Sequence, residues 1–273
     1  MAGEQSHEER FRAGDVLLHG VAGGRGQTIL VLHDIDYLNT WQPFEEQLAA
    51  KSYRVVAPSH PGFGASERPA WLDSVDDLAY VYLDLLRELG PSHVIGLGFG
   101  GWIAAEMAVR CDDYMRSLVL VDAVGIKVGD RLTRDIADTF VMKPRDFLEA
   151  SWHDPEAGAA VMKLAGLTEL SDEEALVVMR NKETAALYGW NPFMHNPKLA
   201  GRLGRISVPT RVLWGGSDRV VTPEYGRAFA RRIPGAEFSE FIKAGHYPYL
   251  EQPETFVLSV TWFYDERPRV RRP

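Results

Sequence analysis

The sequence predicts an α/β protein, with a mostly parallel sheet flanked by helices and a long helical insertion. Three observations predict it. Short β-branched runs recur at 28–32, 54–57, 94–97, 118–121 and 210–214, the pattern of strands buried on both faces. Amphipathic helical stretches separate them. From 125 to 204 the alternation stops, and helical patterns follow one another without a strand.

The elements follow in order. Between the second and third runs, residues 74–89 place Val75, Leu78, Tyr82, Leu85 and Leu89 three and four apart, the stripe of a helix lying on a sheet. Asp73 or Ser74 caps its first turn, and Gly90-Pro91 stops it,. After the third run, Gly101, Ala104, Ala105 and Ala108 give the next helix a smooth face for close approach to the sheet. In the insertion, Ser171-Asp172-Glu173-Glu174 is a capping-box signature,. Strand and helix alternation resumes at Thr210 and ends in an amphipathic helix from Pro253 to about Asp265. The expected division is a core domain over 1–124, a helical lid over 125–204, and the second part of the core over 205–273 with a basic tail.

Composition bounds the function. The 273 residues are 45% hydrophobic, enough to fill one large core with an inserted subdomain,. A formal charge of -8 argues against nucleic acid as a partner,. No segment approaches the roughly 18 uninterrupted apolar residues of a membrane span. The first residues lack the apolar core of a secretory signal, and one cysteine, Cys111, precludes an internal disulfide,. A cytoplasmic protein is expected. The scattered histidines form no metal-binding pattern, and no cofactor is indicated,. Arg267, Arg269, Arg271 and Arg272 read as a solvated chain end,.

The chemistry concentrates in a few segments. Val94-Ile95-Gly96-Leu97-Gly98-Phe99-Gly100-Gly101 has the strand, tight turn and helix start of a nucleophile elbow, G-x-S-x-G, with Gly98 at the central position,. Leu213-Trp214-Gly215-Gly216-Ser217-Asp218 and Ala244-Gly245-His246-Tyr247-Pro248 supply an aspartate and a histidine at strand ends. Ala57-Pro58-Ser59-His60-Pro61-Gly62-Phe63-Gly64-Ala65-Ser66 forms a glycine-rich turn.

On these motifs, over roughly residues 14 to 265, the chain resembles the α/β-hydrolase fold family, in its lid-bearing branch of esterases, lactonases and carbon–carbon-bond hydrolases. The resemblance implies that His246 and Asp218 are the base and the orienting acid of a catalytic triad, and that Gly98 leaves the serine position vacant. It places the oxyanion loop at Leu32-His33-Asp34-Ile35, with Asp34 where glycine is usual and Ser59 where aspartate is common. The implied oxyanion donors are the backbone N–H groups of Phe99 and Ile35. His33 is expected to shape its loop. Asp34 either faces the pocket, as a carboxylate or as a protonated donor, or faces away. Neither Cys111 nor Ser217 sits where a substitute nucleophile would.

Trp152, Trp190, Phe193, Met194 and Tyr247 are the expected pocket lining, above all the 190–195 cluster,. Three functions stay open. One is an enzyme acting on a small hydrophobic carbonyl compound through the His246–Asp218 dyad, with water or proton abstraction in place of an acyl-serine. Another is a ligand-binding pseudoenzyme. The last is a hydrolase whose serine was mutated to Gly98. Each takes a small molecule as its partner.

Overall fold

The computed structural model describes residues 6–36, 40–111, 113–164 and 171–266. The basic tail lies outside the described residues. Eight strands form one sheet: β1 (His7–Ala13), β2 (Val16–Gly23), β3 (Gln27–Leu32), β4 (Tyr53–Pro58), β5 (Ser92–Leu97), β6 (Met115–Val121), β7 (Thr210–Gly215) and β8 (Glu237–Phe241). Their order is β1-β2-β4-β3-β5-β6-β7-β8. β2 pairs antiparallel with β1 and β4, and every pairing from β4 to β8 is parallel. All five strands expected from β-branched runs are present.

The helices are α1 (Pro43–Ala50), α2 (Val75–Leu89), α3 (Phe99–Arg110), α4 (Pro144–Ser151), α5 (Pro155–Leu164), α6 (Asp172–Gly189), α7 (Pro223–Ala230), α8 (Pro248–Glu251) and α9 (Pro253–Glu266). Successive strand residues point to opposite faces. In β3, Leu30 and Leu32 therefore join the apolar layer under α2, α3 and α7. Ile29 and Val31 join the layer under α1 and α9. Burial of β3 to β7 on both sides is why they read as continuous apolar runs.

Local signals behave as their chemistry requires. Of the two caps expected for α2, the structure uses Ser74, whose Oγ accepts from Asp77 N at 3.2 Å. Val75, Leu78, Tyr82 and Leu85 are buried on one face, and Gly90 ends the helix at φ 74°. α6 opens on the expected box: Glu174 N donates to Ser171 Oγ and Ser171 N to Glu174 Oε2. Between β6 and β7 lie α4, α5, α6 and two 3-10 turns, and the described residues there form no named strand. No helix among the described residues is long and apolar enough to cross a membrane.

Candidate active site

The C-terminal ends of the parallel strands open into one cluster of loops, where α/β sheets place their ligands. β3 runs into His33 and Asp34, and β5 turns through Gly98 into α3. Asp218 follows β7, and His246 follows β8. Gly98 takes φ 48°. A Cβ there would overlap the Asp34 carboxyl group, and one on Gly100 would overlap the carbonyl of Leu32. The turn thus lets α3 start directly against the end of β3, with its first N–H groups aimed at the loop.

Asp34 receives them. Its Oδ1 accepts from Phe99 N and from Ile35 N, each at 2.8 Å. Those are the two donors expected to hold an oxyanion. Its Oδ2 lies 3.0 Å from His246 Nε2. On the other side of the ring, His246 Nδ1 lies 2.7 Å from Asp218 Oδ2. Asp218 Oδ1 is fixed in turn by Val220 N at 2.8 Å and Val221 N at 3.1 Å. Asp34, Asp218 and His246 are all buried. An imidazole is thus clamped between two carboxyl groups in a buried site at the cavity wall.

The electrostatics follow. Burial opposes charge on His246, but the charge and hydrogen bond of Asp218, and then those of Asp34, push its pKa well above the ordinary histidine value,. Burial likewise opposes charge on Asp34, yet the hydrogen bond and charge of His246, with the Phe99 and Ile35 N–H groups, hold its pKa below the usual carboxylate range. At neutral pH the resting site is therefore an Asp34 carboxylate against a His246 imidazolium. Asp34 faces the pocket as an acceptor; the protonated, donating form allowed by the sequence does not fit its three partners, Ile35 N, Phe99 N and the His246 imidazolium.

Behind the ring, Asp122 Oδ1 accepts from Gly215 N at 2.8 Å while Oδ2 has no partner among the described residues. Burial and the charge of Asp218 raise its pKa well above the usual range, so it is a neutral acid. Asp122, Asp218 and His246 present ligand-type atoms within 4.8 Å of one another. A cation there would have to break the Asp218–His246 contact, because both ring nitrogens of His246 are engaged.

Linkage gives the site a pH signature. His246, with a raised folded pKa, contributes stability fully below its unfolded value of about 6.5 and loses it as pH rises through the folded value. Asp34, with a lowered folded pKa, contributes above its unfolded value of about 3.9 and loses it as pH falls through the folded value. Thermal melts of the protein and of Asp34→Asn should therefore differ most between about pH 4 and 6.5, converging on both sides. A gap that keeps widening above pH 8 would contradict the charged pair.

The other expected site residues divide. His33 is structural: its Nδ1 lies 2.6 Å from Asp34 O and its Nε2 accepts from His60 N at 2.9 Å. Trp152 and Tyr247 wall a cavity at Asp34, held there because His246 N donates to Ser151 O at 2.6 Å. Trp190, Phe193 and Met194 are not among the residues lining it. Trp190 is 53% exposed and Met194 is buried in the core, while Phe193 lines a separate surface hollow with Ile126 and Arg134. The reason is local: Met194 N bonds Gly189 O, and Asn196 N bonds Gly125 O. The segment therefore folds back on the strand-end loop and turns its rings away. Ser217 Oγ pairs with His153 Nδ1 on the outside, and Cys111 is exposed beyond α3.

The cavity's remaining wall escaped the sequence reading. Asp36, Gln42, Phe44, Glu45 and Tyr249 line it, together with Met162. The one available signal was Glu45, an acid on the same face of α1 as Phe44 and Leu48. A second cleft of about 420 Å³ adjoins, sharing Asp36, Phe147 and Met162 and adding Lys182.

Comparison with known proteins agrees with this architecture. The chain is 26% identical over 266 residues to the AB hydrolase superfamily protein YfhM of Bacillus subtilis, covering 87% of this chain and 91% of that one. It is 27% identical over 236 residues to 2-hydroxymuconate semialdehyde hydrolase of Pseudomonas putida, 80% and 79% of the two chains. Among solved structures, 2-hydroxy-6-oxo-6-phenylhexa-2,4-dienoate hydrolase of Rhodococcus sp. strain RHA1 superposes with a TM-score of 0.77 at 22% identity, over 96% of this chain and 99% of that one. An esterase of Exiguobacterium antarcticum gives 0.75 at 20% identity, over 95% and 100%. Residues 16–259 match the family described as Alpha/beta hydrolase family, and the chain belongs to it.

Proposed function

We propose that this chain is a hydrolase whose reacting group is the Asp34 carboxylate, served by His246 and Asp218. The carrying observation is that Asp34 Oδ1 takes both expected oxyanion donors while Oδ2 faces His246. Gly98 stands at the nucleophile position, and its missing side chain makes room for this carboxyl group.

The arrangement restricts the chemistry. An ester carbonyl or an enolate would need the Phe99 and Ile35 N–H groups for its own oxygen, and dyad-activated water would need an unprotonated His246. Asp34 occupies the first and opposes the second. Displacement at a saturated carbon needs neither. In the first step Oδ2 attacks the carbon, a C–O bond forms, and the leaving group departs with the electron pair of its bond, taking a proton from His246 where it needs one.

The enzyme-bound ester is then placed for hydrolysis. Esterification removes the Asp34 charge, so the pKa of His246 falls and Nε2 becomes a base. His246 takes a proton from water as the water oxygen bonds to Cγ of Asp34. The negative charge that develops falls on Oδ1, already held by two N–H donors. The Cγ–Oδ2 bond then breaks, the alcohol leaves with Oδ2 and the proton that His246 took from water, and Asp34 returns with an oxygen from water.

Likeness to 2-hydroxymuconate semialdehyde hydrolase keeps the dyad-and-water reading of a carbonyl compound as the competitor. The filled oxyanion site favours a third reading, a binding protein without turnover. A panel of primary haloalkanes, epoxides, aryl esters and β-diketones separates the three. Asp34→Asn should abolish turnover of the alkylating substrates, a loss on the order of 10³-fold or more. Turnover of esters or diketones that survives in Asp34→Asn would sink the proposal.

A further inference from the structure

We infer that the cavity at Asp34 takes the ammonium head of a small hydrophobic amine, so that the substrate class is cationic. This rests on the reading of that cavity as the reaction site. Its walls combine two features that together select a cation. The first is aromatic: Phe44, Phe147, Trp152, Tyr247 and Tyr249 surround it, and ring faces attract ammonium groups. The second is acidic: Asp34, Asp36 and Glu45 line the same space, while no lysine or arginine is among its described lining residues.

Asp34 is committed to His246 and to two backbone N–H groups, but Glu45 and Asp36 are only partly satisfied. Glu45 is 1% exposed, and only its Oε2 has a partner among the described residues, accepting from Gln42 N at 2.8 Å. Asp36 Oδ2 accepts from Tyr247 OH at 3.1 Å. Buried carboxyl groups without counter-charges hold their protons more tightly. Burial pushes Glu45 up to about 8, and burial with repulsion from Asp34 pushes Asp36 up to about 6. An ammonium ion in the cavity relieves Glu45 and Asp36 together, which a neutral or anionic ligand cannot do. The charge of His246 is spent on Asp34 and Asp218, and that of Lys182, in the adjoining cleft, offsets only part of the burial of Asp36.

Benzylammonium, benzyl alcohol and benzoate, titrated calorimetrically at neutral pH and low salt, test the inference with one body and three charges. Benzylammonium should bind about tenfold or more tightly than benzyl alcohol, and benzoate more weakly than either. Glu45→Gln, which keeps an acceptor for Gln42 N, and Asp36→Asn should each shrink that preference, chiefly by weakening benzylammonium. Asp36 is only partly buried, so its variant carries the test if Glu45→Gln does not fold. Equal affinity for the alcohol and the ammonium ion, no binding of benzylammonium, or a preference untouched by both substitutions overturns the inference. Binding is read without turnover. A protein that prefers benzylammonium but never reacts at Asp34 would retain this inference and lose the proposed mechanism; one that reacts at Asp34 only with neutral electrophiles, and shows no preference, would do the reverse.

Discussion

The double variant Asp34→Gly/Gly98→Ser should hydrolyse aryl esters, whereas neither single variant should do so. Adding a side chain at Gly98 drives its Cβ into the Asp34 carboxyl group. It also places a non-glycine residue at φ 48°, at a cost on the order of 1–3 kcal/mol. Gly98→Ser alone therefore loses stability and still presents a filled oxyanion site. Asp34→Gly alone frees the Phe99 and Ile35 N–H groups but offers no nucleophile. Together they supply a hydroxyl, two free donors and a His246 relieved of one carboxylate, so that it can act as base at neutral pH. The expected gain over either single variant is on the order of 10³-fold, the scale of an oxyanion site with its base. Esterase assays with melting curves for all four proteins check it. Activity in Gly98→Ser alone would show that the two positions are not interlocked.

His246→Ala should convert a catalyst of alkyl displacement into a trap. Attack by Oδ2 needs no base, but hydrolysis of the resulting ester does, so the second step should slow on the order of 10²- to 10⁴-fold, the range for a general base. Intact-protein mass should then rise by one alkyl group per chain, and fragmentation should place it on Asp34. For good leaving groups the first step should persist, because their departure needs no proton from His246. A variant that is equally slow in both steps, with no adduct, would remove His246 from the hydrolytic step.

The sequence revealed the scaffold through signals that are local. α2 was readable because five apolar residues fall on one face between Ser74 and Gly90, and α6 because its cap is written in four consecutive residues. β1, with five of seven positions not buried, and β8, with one buried position in five, carry no such stripe. Edge strands with few buried side chains leave little apolar pattern.

The site was legible to the same depth. Gly98, Asp218 and His246 sit in turns whose backbone demands appear in the neighbouring glycines. The rotation of the Asp34 side chain depends on Phe99 and His246, respectively 65 and 212 residues away, so nothing near position 34 announces it. The pocket wall shows the same limit. Trp190 and Phe193 form the densest aromatic cluster of the insertion, yet density does not say which way a segment turns. Phe44 and Glu45 come from a helix with no chemical motif, and only packing of α1 beside α8 and α9 brings them to Asp34.

The central claim, that Asp34 is the group that reacts, is tested most directly by turnover in ¹⁸O-water followed by mass analysis of the peptide holding Asp34. The account predicts that the Asp34 carboxyl group gains heavy oxygen, and that the first turnover releases an alcohol whose new oxygen comes from the protein. Heavy oxygen in the alcohol from the first turnover, with Asp34 unlabelled, would mean that water attacks the substrate directly and would contradict it.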